Sequence, residues 1–123
     1  MKEREQRIEQ YFNSWINKEI STLRTIFAPD ILYSESYGPE YHGIAIVEQW
    51  FKDWTSRGTV LQWTIKQFIH QGNMTVVEWY FKYEHDGTAD AFDGVSLIEF
   101  NAENLIVSLK EFQSKLPHYY PYT

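Results

Sequence analysis

The sequence predicts an α+β fold: helices from the N-terminal half packed over the concave face of a strongly curved antiparallel sheet. Three observations carry this. Apolar residues recur at helical spacing in the first half of the chain. Four long alternating stretches follow in series, divided by tight-turn sequences. Aromatic residues make up 18% of the 123 residues, enough to fill or line a concave surface. The length suits one domain over residues 1–123.

The first helix is expected over about 3–17, where Ile8, Tyr11, Phe12 and Trp15 form one stripe. A short second helix is expected from Ile20 to Phe27, with Ser21 as a candidate N-cap and Ala28-Pro29-Asp30 ending it. Ile31 to Tyr37 then alternates as a strand, with Ile31, Tyr33, Glu35 and Tyr37 on one face, and breaks at Gly38-Pro39. A third helix follows Gly43 to about Ser56, burying Ile44, Val47, Trp50, Phe51 and Trp54. Gly58 is expected to close it in the left-handed conformation.

Four strands come next, at 60–70, 75–84, 89–100 and 105–115. His85-Asp86-Gly87 between the second and third is a hairpin signal. Strand phase places Val77, Trp79, Phe81 and Tyr83 on the concave face, and Phe92, Gly94, Ser96 and Ile98 beside them. The last strand is ambiguous, because both its alternating sets mix apolar and polar residues. Whether Glu111 faces inward is therefore open. So is Asp93, which strict alternation turns outward but a bulge at Gly94 would turn in. Pro117 and Pro121 mark an aromatic tail.

Composition excludes several classes of function. Without cysteine there is neither disulfide nor thiolate chemistry. A net charge of -6 argues against nucleic acid as a partner. No apolar run approaches the roughly 20 residues of a membrane helix, and the charged MKEREQRIEQ start lacks a signal-peptide core, so a cytoplasmic location is expected. The four histidines are scattered without ligand spacing, so neither a metal site nor a cofactor is expected. His70, His85 and His118 are read as surface residues, and His42 as part of a pocket rim.

Glu35 is the residue that points to chemistry. A carboxylate between Tyr33 and Tyr37 on an inward face would be desolvated and its pKa raised, as a general base requires. The alternative is a strand-end glutamate in solvent. Trp15, Tyr33, Tyr37, Trp54, Trp63, Trp79, Phe81 and Phe92 are either core or the lining of a cavity for a small apolar or aromatic ligand, with Glu111 as a possible second acid.

The order helix, helix, strand, helix, four long strands, carried by YFNSWINKEISTLRTIFAPDILYSESYG, GIAIVEQWFKDW, EWYFKYEHDG and FDGVSLIEFN, resembles the SnoaL-like group of the nuclear-transport-factor-2-like superfamily. That resemblance implies a cone-shaped, cystatin-like α+β barrel with a pocket between helices and sheet. Members include ketosteroid isomerase, polyketide cyclases, scytalone dehydratase and limonene epoxide hydrolase, alongside relatives without catalytic roles. Compared with ketosteroid isomerase, the oxyanion-donating tyrosine falls on Tyr11 and the general base on Glu35, at the same spacing. The second oxyanion donor, a neutral aspartic acid there, falls on Ser96. The resemblance thus implies cofactor-free isomerase, cyclase or dehydratase chemistry, or a non-catalytic ligand-binding domain. The epoxide-hydrolase variant needs an arginine bridging two acids, and no arginine lies on an inner strand. A homodimer through the convex sheet face, which carries Glu78, Tyr80, Lys82, Glu84, Leu97 and Glu99, is also implied.

Overall fold

The computed structural model describes residues 1–122. Helix α1 spans Lys2–Asn17, and a 3₁₀ turn, Ile20–Thr22, leads into the one-turn helix α2, Leu23–Ile26. Strand β1 is Phe27–Ser34, β2 is Glu40–His42 and α3 is Ile44–Arg57. Strands β3 (Gly58–Gln71), β4 (Met74–His85), β5 (Thr88–Phe100) and β6 (Ile106–Lys115) complete the chain. The six strands form one curved, unclosed sheet in the order β2-β1-β6-β5-β4-β3. The fold is α+β, as the sequence pattern predicts. All neighbours pair antiparallel except β1 and β6, which are parallel, so the sheet is mixed and stops short of a closed barrel.

The predicted stripe of α1 is buried: Ile8, Tyr11, Phe12 and Trp15 pack over the sheet. The helix ends at Lys18 in the left-handed conformation (φ 56°), and the Glu19 N–H donates to the Ser14 carbonyl at 2.8 Å. The core is completed by Leu23, Ile26, Ile31, Phe51, Val77 and Ile98. At β4–β5, Asp86 (φ 50°) and Gly87 (φ 81°) both have positive φ, the two-residue turn that a long twisted hairpin favours.

Four local expectations are corrected. The second helix stops at Ile26, and Pro29 lies within β1, where pairing with β6 is irregular between Phe27 and Leu32 and needs no proline N–H. Ser21 makes no capping bond; the capping residue of the 3₁₀ turn is Glu19. Strand β1 ends at Ser34, and the three-residue β2 beside it was too short to leave a pattern. Gly58 is extended (φ -149°), not left-handed. Its glycine is needed for close approach, since a Cβ there would lie 2.7 Å from His85 Cδ2 and 2.8 Å from the Glu84 carbonyl.

The pairing of β4 with β5 runs without a bulge through Gly94, so Asp93 stays on the convex face, where it binds Lys66 Nζ at 2.9 Å. Gly94 lies opposite Trp79, and a Cβ on it would come within 2.5 Å of the indole and 2.4 Å of the Phe112 carbonyl. The missing side chain is the room that Trp79 occupies. Gly94→Ala is therefore expected to destabilise the fold by about 1–3 kcal/mol, as overpacked cores do. Chemical denaturation followed by tryptophan fluorescence measures this, and an unchanged midpoint would contradict it.

Candidate functional site

Between α1, α3 and the concave sheet lies a cavity of about 390 Å³, within the range of small-molecule sites. Its floor is Trp63, Trp79, Phe81 and Phe92 from β3, β4 and β5. One wall is Trp15 and Trp54 from α1 and α3. The other is Tyr33, Tyr41 and Trp50, where Trp50 stacks on Tyr41 (4.5 Å between centroids, 18°) and lies 4.9 Å from Tyr33.

Two carboxyl groups open into this space. Glu35 follows the end of β1, where its N–H donates to the Pro39 carbonyl (2.9 Å) in the turn that reverses the chain into β2. The continued alternation of β1 keeps it inward. Its Oε2 accepts from the hydroxyls of Tyr41 (2.6 Å) and Tyr37 (2.9 Å). Burial raises the Glu35 pKa, and the two hydroxyls oppose that rise.

Glu111 resolves the ambiguity of β6: it pairs with Ser96 on the inner face and lines the cavity. Its Oε2 accepts from the Tyr33 hydroxyl at 2.6 Å, and Tyr33 in turn accepts from Tyr11 at 2.8 Å. Burial pushes the Glu111 carboxyl up to about 8; the Tyr33 bond opposes this and the charge of Glu35 adds to it. Burial also raises both tyrosines well above the ordinary range, with the Glu111 charge next, so both phenols stay protonated. The two acids thus occupy unlike settings in one cavity: Glu35 shares two hydroxyls near the rim, and Glu111 has one deep among rings.

Several sequence-derived site residues occupy other places. Tyr11 is 1% exposed and outside the lining; its hydroxyl is given to Tyr33, so it reaches the site only through Tyr33. Ser96 is fully buried and accepts the Trp79 indole N–H at 3.0 Å, which fixes a floor ring. His42 is exposed opposite Leu32 in the β1–β2 ladder and is not part of the lining. Tyr37 sits at the rim, 68% exposed.

His85, read as a surface residue, lines the mouth 5.1 Å from Trp54. There Arg57 does bridge two acids, Asp53 at 2.8 Å and Asp86 at 3.7 Å, but all three are half-exposed or more. Sequence reasoning missed Tyr41 because β2 is so short. It placed Trp50 on the buried side of α3 without assigning it to the site. Among the described residues, no three His, Asp or Glu groups converge to hold a metal, and no helix is long and apolar enough to cross a membrane.

A helix-covered curved sheet with an acid-bearing aromatic cavity beneath the helices defines the α+β class of this chain. Residues 8–109 match the SnoaL-like domain, and the chain belongs to that family. Among solved structures it is similar to an LEH-like epoxide hydrolase from M. tuberculosis (TM-score 0.81, 13% identity, covering 92% of this chain and 84% of that one). It is also similar to a Catenulispora acidiphila protein of ketosteroid isomerase-like fold, in complex with trimethylamine (TM-score 0.77, 19% identity, 86% and 83% covered). A third is a Mesorhizobium loti protein assigned as a SnoaL-like polyketide cyclase (TM-score 0.70, 16% identity, 86% and 94% covered). At these identities the likeness is one of fold. No curated protein matches the chain.

Because the Tyr33 hydroxyl holds the ionised form of Glu111, Tyr33→Phe is expected to raise the Glu111 pKa further above about 8. Carboxyl-carbon NMR titration of both proteins measures it, and an unchanged or lower value would contradict the arrangement.

Proposed function

We propose that this protein is a cofactor-independent acid–base catalyst, of the isomerase, cyclase or dehydratase kind, acting on a small, largely apolar carbonyl compound. One observation supports the reading above the rest: two carboxyl groups face one ring-lined cavity, both raised by burial, Glu111 to about 8 with the charge of Glu35 adding to its rise. Glu35 is the base, which in its ionised form abstracts a proton next to a carbonyl. Glu111, protonated at neutral pH, is the acid that donates to the oxygen as charge develops there. It takes the part that the family comparison gives to Ser96. Tyr33 aims it, and Tyr11 positions Tyr33. Trp15, Trp54, Trp63, Trp79, Phe81 and Phe92 hold the flat apolar body of the substrate.

Turnover then requires Glu35 ionised and Glu111 protonated. The rate should rise as pH passes the Glu35 pKa, raised above its ordinary 4.5, and fall as pH passes about 8. Screening a ketone and enone library and recording kcat against pH tests this. Glu35→Gln is expected to lower kcat by about 10²–10⁴, the usual worth of a positioned base. Glu111→Gln should remove the basic limb of the profile. If Glu35→Gln leaves turnover unchanged, or no carbonyl compound turns over while ligands bind both forms alike, the protein is the non-catalytic binding domain instead.

We also propose a homodimer through the convex sheet face. Phe112 is 50% and Ile69 57% exposed there, beside Leu97 and Val95, with Glu78 and Lys82 at the margin. Light scattering after size exclusion should give twice the chain mass, and Phe112→Glu should give the monomer. A wild-type monomer would contradict the proposal.

A further inference from the structure

The cavity has a charge imbalance that its own residues leave uncorrected. Glu35 and Glu111 both line it, and neither forms an ion pair with a Lys, Arg or His among the described residues. In each acid Oε2 takes the tyrosine hydroxyls, and Oε1 takes no hydrogen bond from the described residues. Arg57 is the one Lys or Arg of the lining, and it is held at the mouth by Asp53 and Asp86. The tyrosines that donate to the acids line the same space, and Trp50, also of the lining, packs beside two of them, 4.5 Å from Tyr41 and 4.9 Å from Tyr33. Ring faces are negative and attract cations, most strongly where water is excluded. A buried carboxylate without a partner is costly, and a cation supplied by a ligand removes that cost.

We propose that the ligand of this cavity carries an ammonium group, seated against Trp50, Tyr41 and Tyr33 with Glu35 as its counter-ion, joined by Glu111 only above the pH at which that acid loses its proton. This rests on the reading of the cavity as the substrate site and adds the substrate's charge to it. The charge also has a chemical use there. Proton abstraction by Glu35 moves a negative charge onto the substrate oxygen in a space with no deep cation of its own. An ammonium group on the same molecule acidifies a neighbouring C–H and offsets the developing charge.

The test uses the full chain and two probes of one shape, phenyltrimethylammonium and its neutral isostere tert-butylbenzene, followed by tryptophan fluorescence. At pH 9 the cation is expected to bind at least tenfold more tightly than the isostere. Cation affinity should fall from pH 9 to pH 6 as Glu111 takes up its proton, while isostere affinity stays level. Other titratable groups facing the cavity are Tyr33, Glu35, Tyr37, Tyr41, Tyr83 and, at the mouth, Asp53 and His85. The Glu111→Gln control separates the Glu111 contribution from theirs. Glu35→Gln and Glu111→Gln should each lower cation affinity about tenfold and leave the isostere unchanged. Equal binding of the two probes by wild type, which depends on no variant, overturns the charge assignment and leaves the cavity reading standing. So does a cation preference that survives both substitutions. Binding of neither probe overturns the charge assignment and the cavity reading together.

Discussion

The arrangement of this site depends on one hydroxyl group. The Tyr33 Oη accepts from Tyr11 and donates to Glu111, and so ties α1, β1 and β6 together at the deepest polar point of the cavity. Tyr33 is 1% exposed and Tyr11 likewise. At that depth a phenol without partners would cost more than its hydrogen bonds return, so each must be satisfied within the chain. The chain Tyr11–Tyr33–Glu111 meets that constraint with a single acceptor at its end, the carboxyl group. The same bond that completes the core therefore holds an ionisable group of the cavity in place. The parallel pairing of β1 with β6, the exception in an otherwise antiparallel sheet, brings Tyr33 beside Leu109, two residues from Glu111.

From this follows the inequality of the two acids. Glu111 has one hydroxyl and a deep, ring-lined setting; Glu35 has two hydroxyls and a rim. Desolvation acts on both, yet the compensation differs, and the charge of Glu35 raises Glu111 further. Residues named as catalytic from the family comparison serve this inequality at one remove. Tyr11 holds Tyr33, and Ser96 holds Trp79 through its indole N–H. Neither hydroxyl is left for a ligand. The second acid of the cavity comes instead from the neighbouring strand position, since Glu111 pairs directly with Ser96.

Much of the frame was legible in the sequence, for physical reasons that also mark its limits. The stripe of α1, the Asp86-Gly87 turn and the inner face of β4 follow from periodicity and turn chemistry, which are local. The inward direction of Glu35 followed from alternation together with the family comparison. Glu111 was not decided that way, because β6 passes from covered core at Leu109 to an open cavity end, and alternation loses contrast where one face no longer needs to be apolar. Burial is set by the whole fold; hence the cavity lining lacks Tyr11 and Ser96, which the family comparison assigned to the site, and includes His85, read as a surface residue, and Tyr41, which received no assignment. Gly58 was assigned to a turn conformation when the requirement was contact with His85, a partner distant in sequence.

The central claim is that Glu111, pushed up to about 8, is the acid of this cavity that holds a proton at neutral pH. Infrared difference spectroscopy at pH 7 tests it most directly. The account predicts a neutral carboxyl carbonyl band that disappears in Glu111→Gln and persists in Glu35→Gln. A spectrum with no such band, or one whose band disappears in Glu35→Gln instead, would contradict it.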